Sequence, residues 1–332
     1  KLGCEHLTLL DTNADNLIDC SREASRKVLA VQCDEYNPDY SVLADCDIVI
    51  SALPYHQNEK LARYCIDNKL PYCDLGGHIS TSNSINEYAK NKDSVLMTDL
   101  GLAPGWVNIL AERGYNSCGL DDLPETIEMM VGGLPTKPNN YLKYNCTWSH
   151  DGLINEYKDQ CDVLINGFHT LAEGMSGLTT IQTSLGVMEA FYTSGGASHT
   201  IGTMQKRGVQ NCCYKTIRHQ GHCEALRFLI NDCGLDDDGL AALLKAACPP
   251  AEDLVIVKVR VGGYKNIADW TEEKIIYSND KFSAMQIGTI TPFRKAHGRL
   301  HVSTPVNGKL FRLFVEAHAL RVSLFFECSS FL

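Results

Sequence analysis

No run of about 18 apolar residues free of charge occurs in this sequence, and its amino end, KLGCEHLTLLDTNADN, shows no succession of basic, apolar and small residues. The expectation is therefore no membrane association and a cytoplasmic location. Basic charge is scarce as well: 30 Lys plus Arg against 40 Asp plus Glu leave a formal net charge of −10. Such a surface repels phosphate backbones, so nucleic acid is not an expected partner. Internal repeats and low-complexity tracts are missing. Cysteine is plentiful at 15, but no CxxC pair exists and only Cys212 and Cys213 are adjacent. A zinc site or disulfide framework needs tighter spacing, so no metal is expected and the thiols read as small buried hydrophobes. The sequon Asn145-Cys146-Thr147 is read as chance.

What is present is ordinary globular composition, 44% hydrophobic and 21% charged over 332 residues. At about 150 residues per domain that length suggests two domains. The first third alternates apolar runs with helix-length segments. HLTLLD (His6 to Asp11), KVLAVQCD (Lys27 to Asp34), CDIVISALP (Cys46 to Pro54), LPYCDLGG (Leu70 to Gly77) and SVLMTDLG (Ser94 to Gly101) read as strands. Ala14 to Arg26, Tyr40 to Ala44, Gln57 to Asn68 and Ser84 to Asn91 read as helices. Buried runs separated by helices indicate a parallel sheet covered on both faces, a doubly wound α/β fold. From about Tyr115 the rhythm changes to longer strands and a long helical stretch around Thr180 to Tyr192, which predicts a second, α+β domain over 115–280.

A doubly wound domain that binds a dinucleotide normally opens with strand, G-x-G-x-x-G, helix, because backbone N–H groups at the helix start approach the pyrophosphate closely. No such string occurs in this sequence. Lys1-Leu2-Gly3 reads as a helix end closed by glycine, so the sequence is taken to start about 20 residues into such a domain, without its first strand, Rossmann-type in fold. The domain then covers 1–114 and is completed by part of 280–293. The sheet is expected to carry a vacancy beside His6 to Asp11, with pairing of the apolar tail piece RVSLFFEC there as the lesser alternative. A genuine non-nucleotide α/β domain is the rival view. Asp11 bears on the choice. An acid ending the second strand accepts hydrogen bonds from the adenosine ribose and repels a 2′-phosphate, which favours NAD over NADP; otherwise it is a strand-end turn aspartate. Asp34 and Ser51-Ala52-Leu53-Pro54 end neighbouring strands at the same carboxyl edge. With Asp11, and with Leu75 and Gly76 after the next strand, they are the expected cofactor-binding residues.

At DLGGH (Asp74 to His78) and TDLGLAPGWVNIL (Thr98 to Leu110) the chain resembles the saccharopine dehydrogenase superfamily, and within it the bacterial lysine 6-dehydrogenase type most. The similarity continues in VGGLPTKPNNYLKYNCTWSHDGLINEY (Val131 to Tyr157), EAFYTSGG (Glu189 to Gly196) and YKTIRHQGHCE (Tyr214 to Glu224). These blocks keep their order from Leu7 to about Phe293. The resemblance implies an NAD-dependent amine dehydrogenase of an amino acid, a homodimer by analogy. In the lysine 6-dehydrogenase type, hydride leaves the carbon bearing the side-chain amine; saccharopine dehydrogenases oxidise a secondary amine. The sequence departs from the family in its absent glycine loop and in a basic stretch beyond Phe293. Residues 294–332 carry six basic residues and two acids, Glu316 and Glu327, a net +4 against −14 for the rest. They read as a divergent extension or an out-of-frame translation.

Hydride loss from a carbon bearing nitrogen requires a neutral amine, because the lone pair forms the iminium. A lysine amine, with a pKa of about 10.4, is mostly protonated at neutral pH, so a proton acceptor is needed. Asp74, His78, Asp99, His219 and His222 are the candidates. Asp74 and His78 follow a strand end in a glycine turn; alternatively Asp74 bonds turn amides. Gly101 to Gly105 forces a turn before a helix from Trp106 to Arg113, whose amino end would face an anion. Arg218 is the expected clamp for the substrate α-carboxylate, since guanidinium binds carboxylates bidentately. Thr193, Ser194 and Gly195 could donate to the same carboxylate or cap a helix near Ser198. Tyr157 and Trp148 are assigned to packing. The leading function is oxidation of L-lysine at C6; saccharopine or another secondary amine is the alternative, and a non-catalytic nucleotide-sensing protein the third.

Overall fold

The computed structural model describes residues 4–23, 27–34, 36–117, 123–146, 148–263, 269–279, 283–285, 287–289, 303–306, 309–312 and 320–326. The chain divides into two units, Lys1–Gly101 with Ile290–Leu332, and Leu102–Thr289.

In the first unit, β1 (Cys4–Asp11), α1 (Ala14–Glu23), β2 (Lys27–Gln32), β3 (Ile48–Ala52), α2 (Tyr55–Asp67), β4 (Tyr72–Asp74), α3 (Ile79–Ala89) and β5 (Leu96–Met97) alternate, with a 3-10 turn at Tyr40–Leu43. Leu61, Ala62 and Cys65 of α2 and Ile85 of α3 pack with Val49 and Tyr72 in one core that excludes water from that face of the sheet. At roughly 25 cal/mol per Å² of apolar surface, this burial is what holds the helices to the strands. A second cluster, Ile50, Cys73 and Leu100, covers the other side. Burial on both faces explains why the strands read as continuous apolar runs. The segment Lys1-Leu2-Gly3 lies outside the described residues.

The second unit is built from α4 (Trp106–Asn116), β6 (Thr126–Pro135), α5 (His150–Lys158), β7 (Cys161–Ile165), β8 (Phe168–Ala172), β9 (Thr179–Thr183), β10 (Gly186–Tyr192), α6 (Thr200–Lys206), β11 (Asn211–Arg218), α7 (His222–Arg227), α8 (Asp237–Ala247), β12 (Asp253–Gly262) and β13 (Trp270–Tyr277). Its eight-stranded sheet runs β13-β12-β6-β11-β10-β9, with β7 pairing β11 and β8. Strands β6 and β11 are parallel and the other neighbours antiparallel. The expected boundary after residue 114 falls inside α4, which packs through Val107, Leu110 and Ala111 onto Val255, Val257 and Val259 of β12. The helix expected over Thr180 to Tyr192 is instead the hairpin β9–β10, with Met188 opposite Ile181. Thr183 closes its turn by donating Oγ1 to the Gly186 carbonyl (2.9 Å), and Gly186 takes φ +108, a value no helix contains.

In the tail, β14 (Ser303–Val306) and β15 (Lys309–Arg312) form an antiparallel pair. The last strand, β16 (Leu320–Phe326), lies parallel between β1 and β3, with Val322 opposite both Leu7 and Ile48. The first unit's sheet is thus β2-β1-β16-β3-β4-β5, wholly parallel. This corrects the expected vacancy beside β1, and residues 320–326 belong to the sheet and not to a separate tail. The reason is hydrogen bonding: β1 and β3 each present a row of backbone N–H and C=O groups that is costly to bury unpaired, and an apolar run satisfies both rows. Residues 283–285 and 287–289, expected to complete the first domain, fall in the second unit.

Candidate functional site

Alternation along β11 places Tyr214, Thr216 and Arg218 on one face, and Ile217 on the other within a separate apolar cluster. Register extends that face to β10, where Glu189 lies opposite Arg218 and Phe191 opposite Thr216. Thr193, just beyond β10, shares a hydroxyl hydrogen bond with Thr216 (2.7 Å). A rigid strand pair therefore carries Arg218, and helices α5 and α7 cover it. Arg218 is only 3% exposed. Its Nε donates to Tyr157 Oη (2.7 Å) and its Nη1 to the Ile217 carbonyl (2.9 Å). The guanidinium stands 4.8 Å from the Tyr144 ring centroid and 5.6 Å from that of Tyr157. Among the described residues no carboxylate lies within ion-pair distance of it.

The hydrogen-bond order around Arg218 is dictated by an acceptor at its far end. His222 Nδ1 lies 2.7 Å from the Leu142 carbonyl, which only accepts, so Nδ1 carries the proton. Nε2 then accepts from the Tyr157 hydroxyl (3.0 Å), which in turn accepts from Arg218. Burial, reinforced by the Arg218 charge, pushes the His222 imidazole down to about 3. Burial pushes the Tyr157 hydroxyl up, so it stays protonated. His222, expected as a proton acceptor, is thus a neutral positioning residue whose lone pair is taken. His219 is held low by burial and leaves a buried Nε2 without a partner. Tyr157, expected only to pack, is the link between Arg218 and His222. It also lines a cleft of about 590 Å³, with Lys158, Glu173, Ser176 and Arg227.

The turn after β10 closes the cluster. Ser194 donates its backbone N–H to the Glu156 carbonyl (3.0 Å), Gly195 takes φ +84, and a Cβ at Gly196 would meet the Tyr214 ring at 2.3 Å. Helix α6 starts at Thr200 with no side chain capping it, so the Ser194 hydroxyl does not serve as its cap. Glu189, which composition alone did not single out, accepts from the backbone N–H of Gly221 (2.8 Å) and Cys223 (2.7 Å) and fixes α7 against Arg218's strand.

In the first unit the expected residues gather at the carboxyl edge of the sheet, and most are already bonded. Asp74, 1% exposed, accepts from the Tyr72 hydroxyl (3.0 Å) and from the backbone N–H of Gly76 and Asp99 (2.9 Å each). Burial raises its carboxyl to about 6 despite those bonds. It organises the turn that holds Leu75 and Gly76. Asp99 adopts φ +63 and accepts from Ser82 Oγ (2.8 Å). His78 caps α3, its Nδ1 accepting from the Ser80 N–H (3.2 Å), and its ring stacks on Tyr55 at 5.4 Å. Asp11, 4% exposed, accepts from Asn13 N–H (2.8 Å) and Asn16 Nδ2 (3.3 Å), and burial raises its pKa. Asp34 is exposed and accepts from Tyr36 and Asn37 N–H (2.8 Å each). Ser51, fully buried, donates to Asn58 Oδ1 (2.7 Å), which ties the β3 end, with Ala52, Leu53 and Pro54, to α2.

Fold and site together define a Rossmann-like nucleotide-binding unit joined to an α+β unit that buries an unbalanced guanidinium. Comparison narrows the class. Residues 3–98 match the family model described as saccharopine dehydrogenase NADP binding domain, and residues 101–296 that of the saccharopine dehydrogenase C-terminal domain. The chain belongs to the saccharopine dehydrogenase family. It is 30% identical over 132 residues to the mitochondrial alpha-aminoadipic semialdehyde synthase of Rattus norvegicus, covering 38% of this chain and 14% of that protein. The Bos taurus protein of the same name is 24% identical over 218 residues, 63% of this chain and 23% of that protein. The chain therefore spans about a quarter or less of these relatives. The structure of saccharopine dehydrogenase (L-Glu forming) from Saccharomyces cerevisiae shares the fold, with a TM-score of 0.67 at 14% identity over 88% of this chain and 90% of that one.

A nicotinamide dinucleotide fits this chain in part. Asp11 stands where a ribose would be met, and the ends of β3 and β4 lie along the same sheet edge. Among the described residues no G-x-G-x-x-G turn is present to meet the pyrophosphate, and β16 stands at the reversal point of the sheet. The described residues contain no cluster of His, Cys, Asp or Glu able to hold a metal ion, and no helix among them is long and apolar enough to cross a membrane.

Proposed function

We propose that this protein is a nicotinamide-dinucleotide-dependent oxidoreductase acting on the carbon–nitrogen bond in the side group of a lysine-related amino acid. The observation that carries the reading is Arg218: a guanidinium 3% exposed and without a carboxylate partner costs several kcal/mol to bury, and a substrate carboxylate restores the balance. Tyr157 and His222 hold its Nε edge, so the fork presents its remaining donors in a fixed direction. Thr193 and Ser194 border the same face. The relatives' names point to saccharopine and alpha-aminoadipic semialdehyde, and the sequence blocks point to lysine itself; all carry an α-carboxylate. Hydride uptake is the chemistry a dinucleotide supplies when bound, and Asp11 favours NAD over NADP by charge.

Turnover tests the reading. L-lysine and saccharopine are each supplied with NAD⁺ or NADP⁺ at millimolar concentration, and reduced cofactor is followed by absorbance. Activity with either substrate supports the class and tells lysine oxidation from secondary-amine oxidation. No rate above the substrate-free control with either substrate overturns it.

A further inference from the structure

The cleft of about 590 Å³ that Tyr157 borders lies wholly within the second unit, and neither Arg218 nor His222 lines it. Its volume is that of a small-molecule site, commonly about 300–1,000 Å³. The loop between β8 and β9 approaches the last turn of α5 so closely that a Cβ at Gly174 would collide with the Tyr157 carbonyl. Met175 in that loop takes φ +60, a left-handed value that a non-glycine residue keeps only where its surroundings fix it. The fixing contacts are its N–H, which donates to the Tyr192 carbonyl (2.8 Å), and its carbonyl, which accepts from Arg227 Nη2. After Arg227 the chain makes one π turn, Phe228–Asp232, closed by the Cys233 N–H on the Phe228 carbonyl (2.9 Å), and Ile230 and Asn231 of that turn form part of the cleft wall. Such turns are rare and are found mostly at functional sites.

The polar groups of the wall do not satisfy one another. Arg227 spends only Nη2; its Nε and Nη1 have no partner among the described residues. Lys158 gives one N–H to Asp237 and keeps two. The Glu173 carboxylate accepts nothing among the described residues and pairs with neither cation, although all three line the one cleft. Two cations with donors to spare call for an anion with several acceptor oxygens. A carboxylate, which only accepts, calls for hydroxyl donors on the same ligand. A phosphate on a hydroxylated carbon chain has both parts. We propose that this cleft binds a phosphorylated polyol, the chemistry shared by sugar phosphates and nucleotides, with its phosphate on Arg227 and Lys158 and its hydroxyls on Glu173. The site takes no part in the proposed oxidation and stands or falls independently of it.

Calorimetric titration of the full chain with ribose 5-phosphate, AMP, inorganic phosphate and ribose tests it. Ribose 5-phosphate is expected to bind at least about tenfold more tightly than phosphate or ribose alone, since each half adds hydrogen bonds that together contribute on the order of tenfold or more. Tighter binding of AMP than of ribose 5-phosphate assigns the site to nucleotides; equal or weaker binding assigns it to sugar phosphates. Arg227→Gln is expected to weaken ribose 5-phosphate and inorganic phosphate alike, about ten- to a hundredfold. Glu173→Ala, at an exposed residue whose carboxylate has no partner to lose, is expected to weaken ribose 5-phosphate about tenfold and to leave inorganic phosphate unchanged. Thermal melting confirms that each variant is folded; since Arg227 also holds Met175, the Glu173 variant decides if Arg227→Gln unfolds. Ribose 5-phosphate binding that Glu173→Ala leaves unweakened places the ligand elsewhere and overturns the proposal. So does the absence of binding of both phosphate esters to the wild type at millimolar concentration.

Discussion

Removing the Tyr157 hydroxyl strands two buried partners at once, the Arg218 Nε donor and the His222 Nε2 acceptor. Tyr157→Phe keeps the ring between Phe191 and His222, so the change isolates the hydrogen bonds. We expect a loss of about 1–3 kcal/mol in chemical denaturation at neutral pH. An unchanged midpoint would show that water takes over both bonds. His222 offers a second test. With its imidazole near 3, its ring resonances are expected not to titrate between about pH 5 and 8, whereas an exposed histidine has its midpoint near 6.5. The unfolded chain takes up this proton near 6.5 and the folded chain only near 3, so stability is present above about 6.5 and falls as pH drops, by up to about 1.4 kcal/mol per pH unit. Asp74, held at about 6, works in the opposite sense between about pH 4 and 6, so the difference between wild type and His222→Gln is the quantity to measure. Arg218 was singled out in the sequence because a guanidinium binds a carboxylate bidentately; the alternative there, a surface arginine at a strand end, does not agree with its burial. The role of Tyr157 was not legible, because an aromatic on an amphipathic helix looks the same whether it only packs or also bonds buried partners.

At the scale of elements, the parallel strands of the first unit were readable, since burial on both faces forces apolar runs. The hairpin β9–β10 was misread for a definite reason. Ile181, Leu185 and Met188 recur at spacings of four and three, a helical pattern, yet they meet in one cluster because the chain reverses between them. Threonine at 179, 180 and 183, valine at 187 and a glycine at the turn argue for strands, and that local chemistry prevailed over the period. Two glycines give a paired test. A Cβ meets nothing within 4 Å at Gly186 or at Gly202, but Gly186 sits at φ +108 and Gly202 lies inside α6. Gly186→Ala is therefore expected to destabilise by about 1–3 kcal/mol through backbone strain alone. Gly202→Ala is expected to stabilise by about 0.5–1 kcal/mol. Equal effects of the two in thermal or denaturant melts would contradict the assigned turn.

At the scale of the whole molecule, the strand order of the first unit and its phosphate chemistry come apart. Strands run outward from β16 in both directions, and a ligand crevice is expected outside the carboxyl ends at such a reversal. In dinucleotide-binding sheets the turn after the strand at that place brings bare backbone N–H groups against the pyrophosphate, and glycine permits the approach. Here the strand at that place is a late segment of the chain, and the sequence after it begins with an acid, Glu327, and contains no glycine. The tail's pairing was foreseen only as a lesser alternative, because nothing in an apolar seven-residue run specifies which edge it joins; the two unpaired rows of β1 and β3 decide that. Asp11 and the ends of β3 and β4 lie along the carboxyl edge of this sheet, and residues 1–332 contain no G-x-G-x-x-G string. Residues 1–332 are accordingly expected to bind NAD⁺ and NADP⁺ weakly, with Kd in the millimolar range, equivalent to about −4 kcal/mol. Calorimetry giving a micromolar Kd for either dinucleotide with the unaltered protein would mean that other backbone groups at this sheet edge hold the pyrophosphate, and that the segment after β16 does not limit cofactor binding.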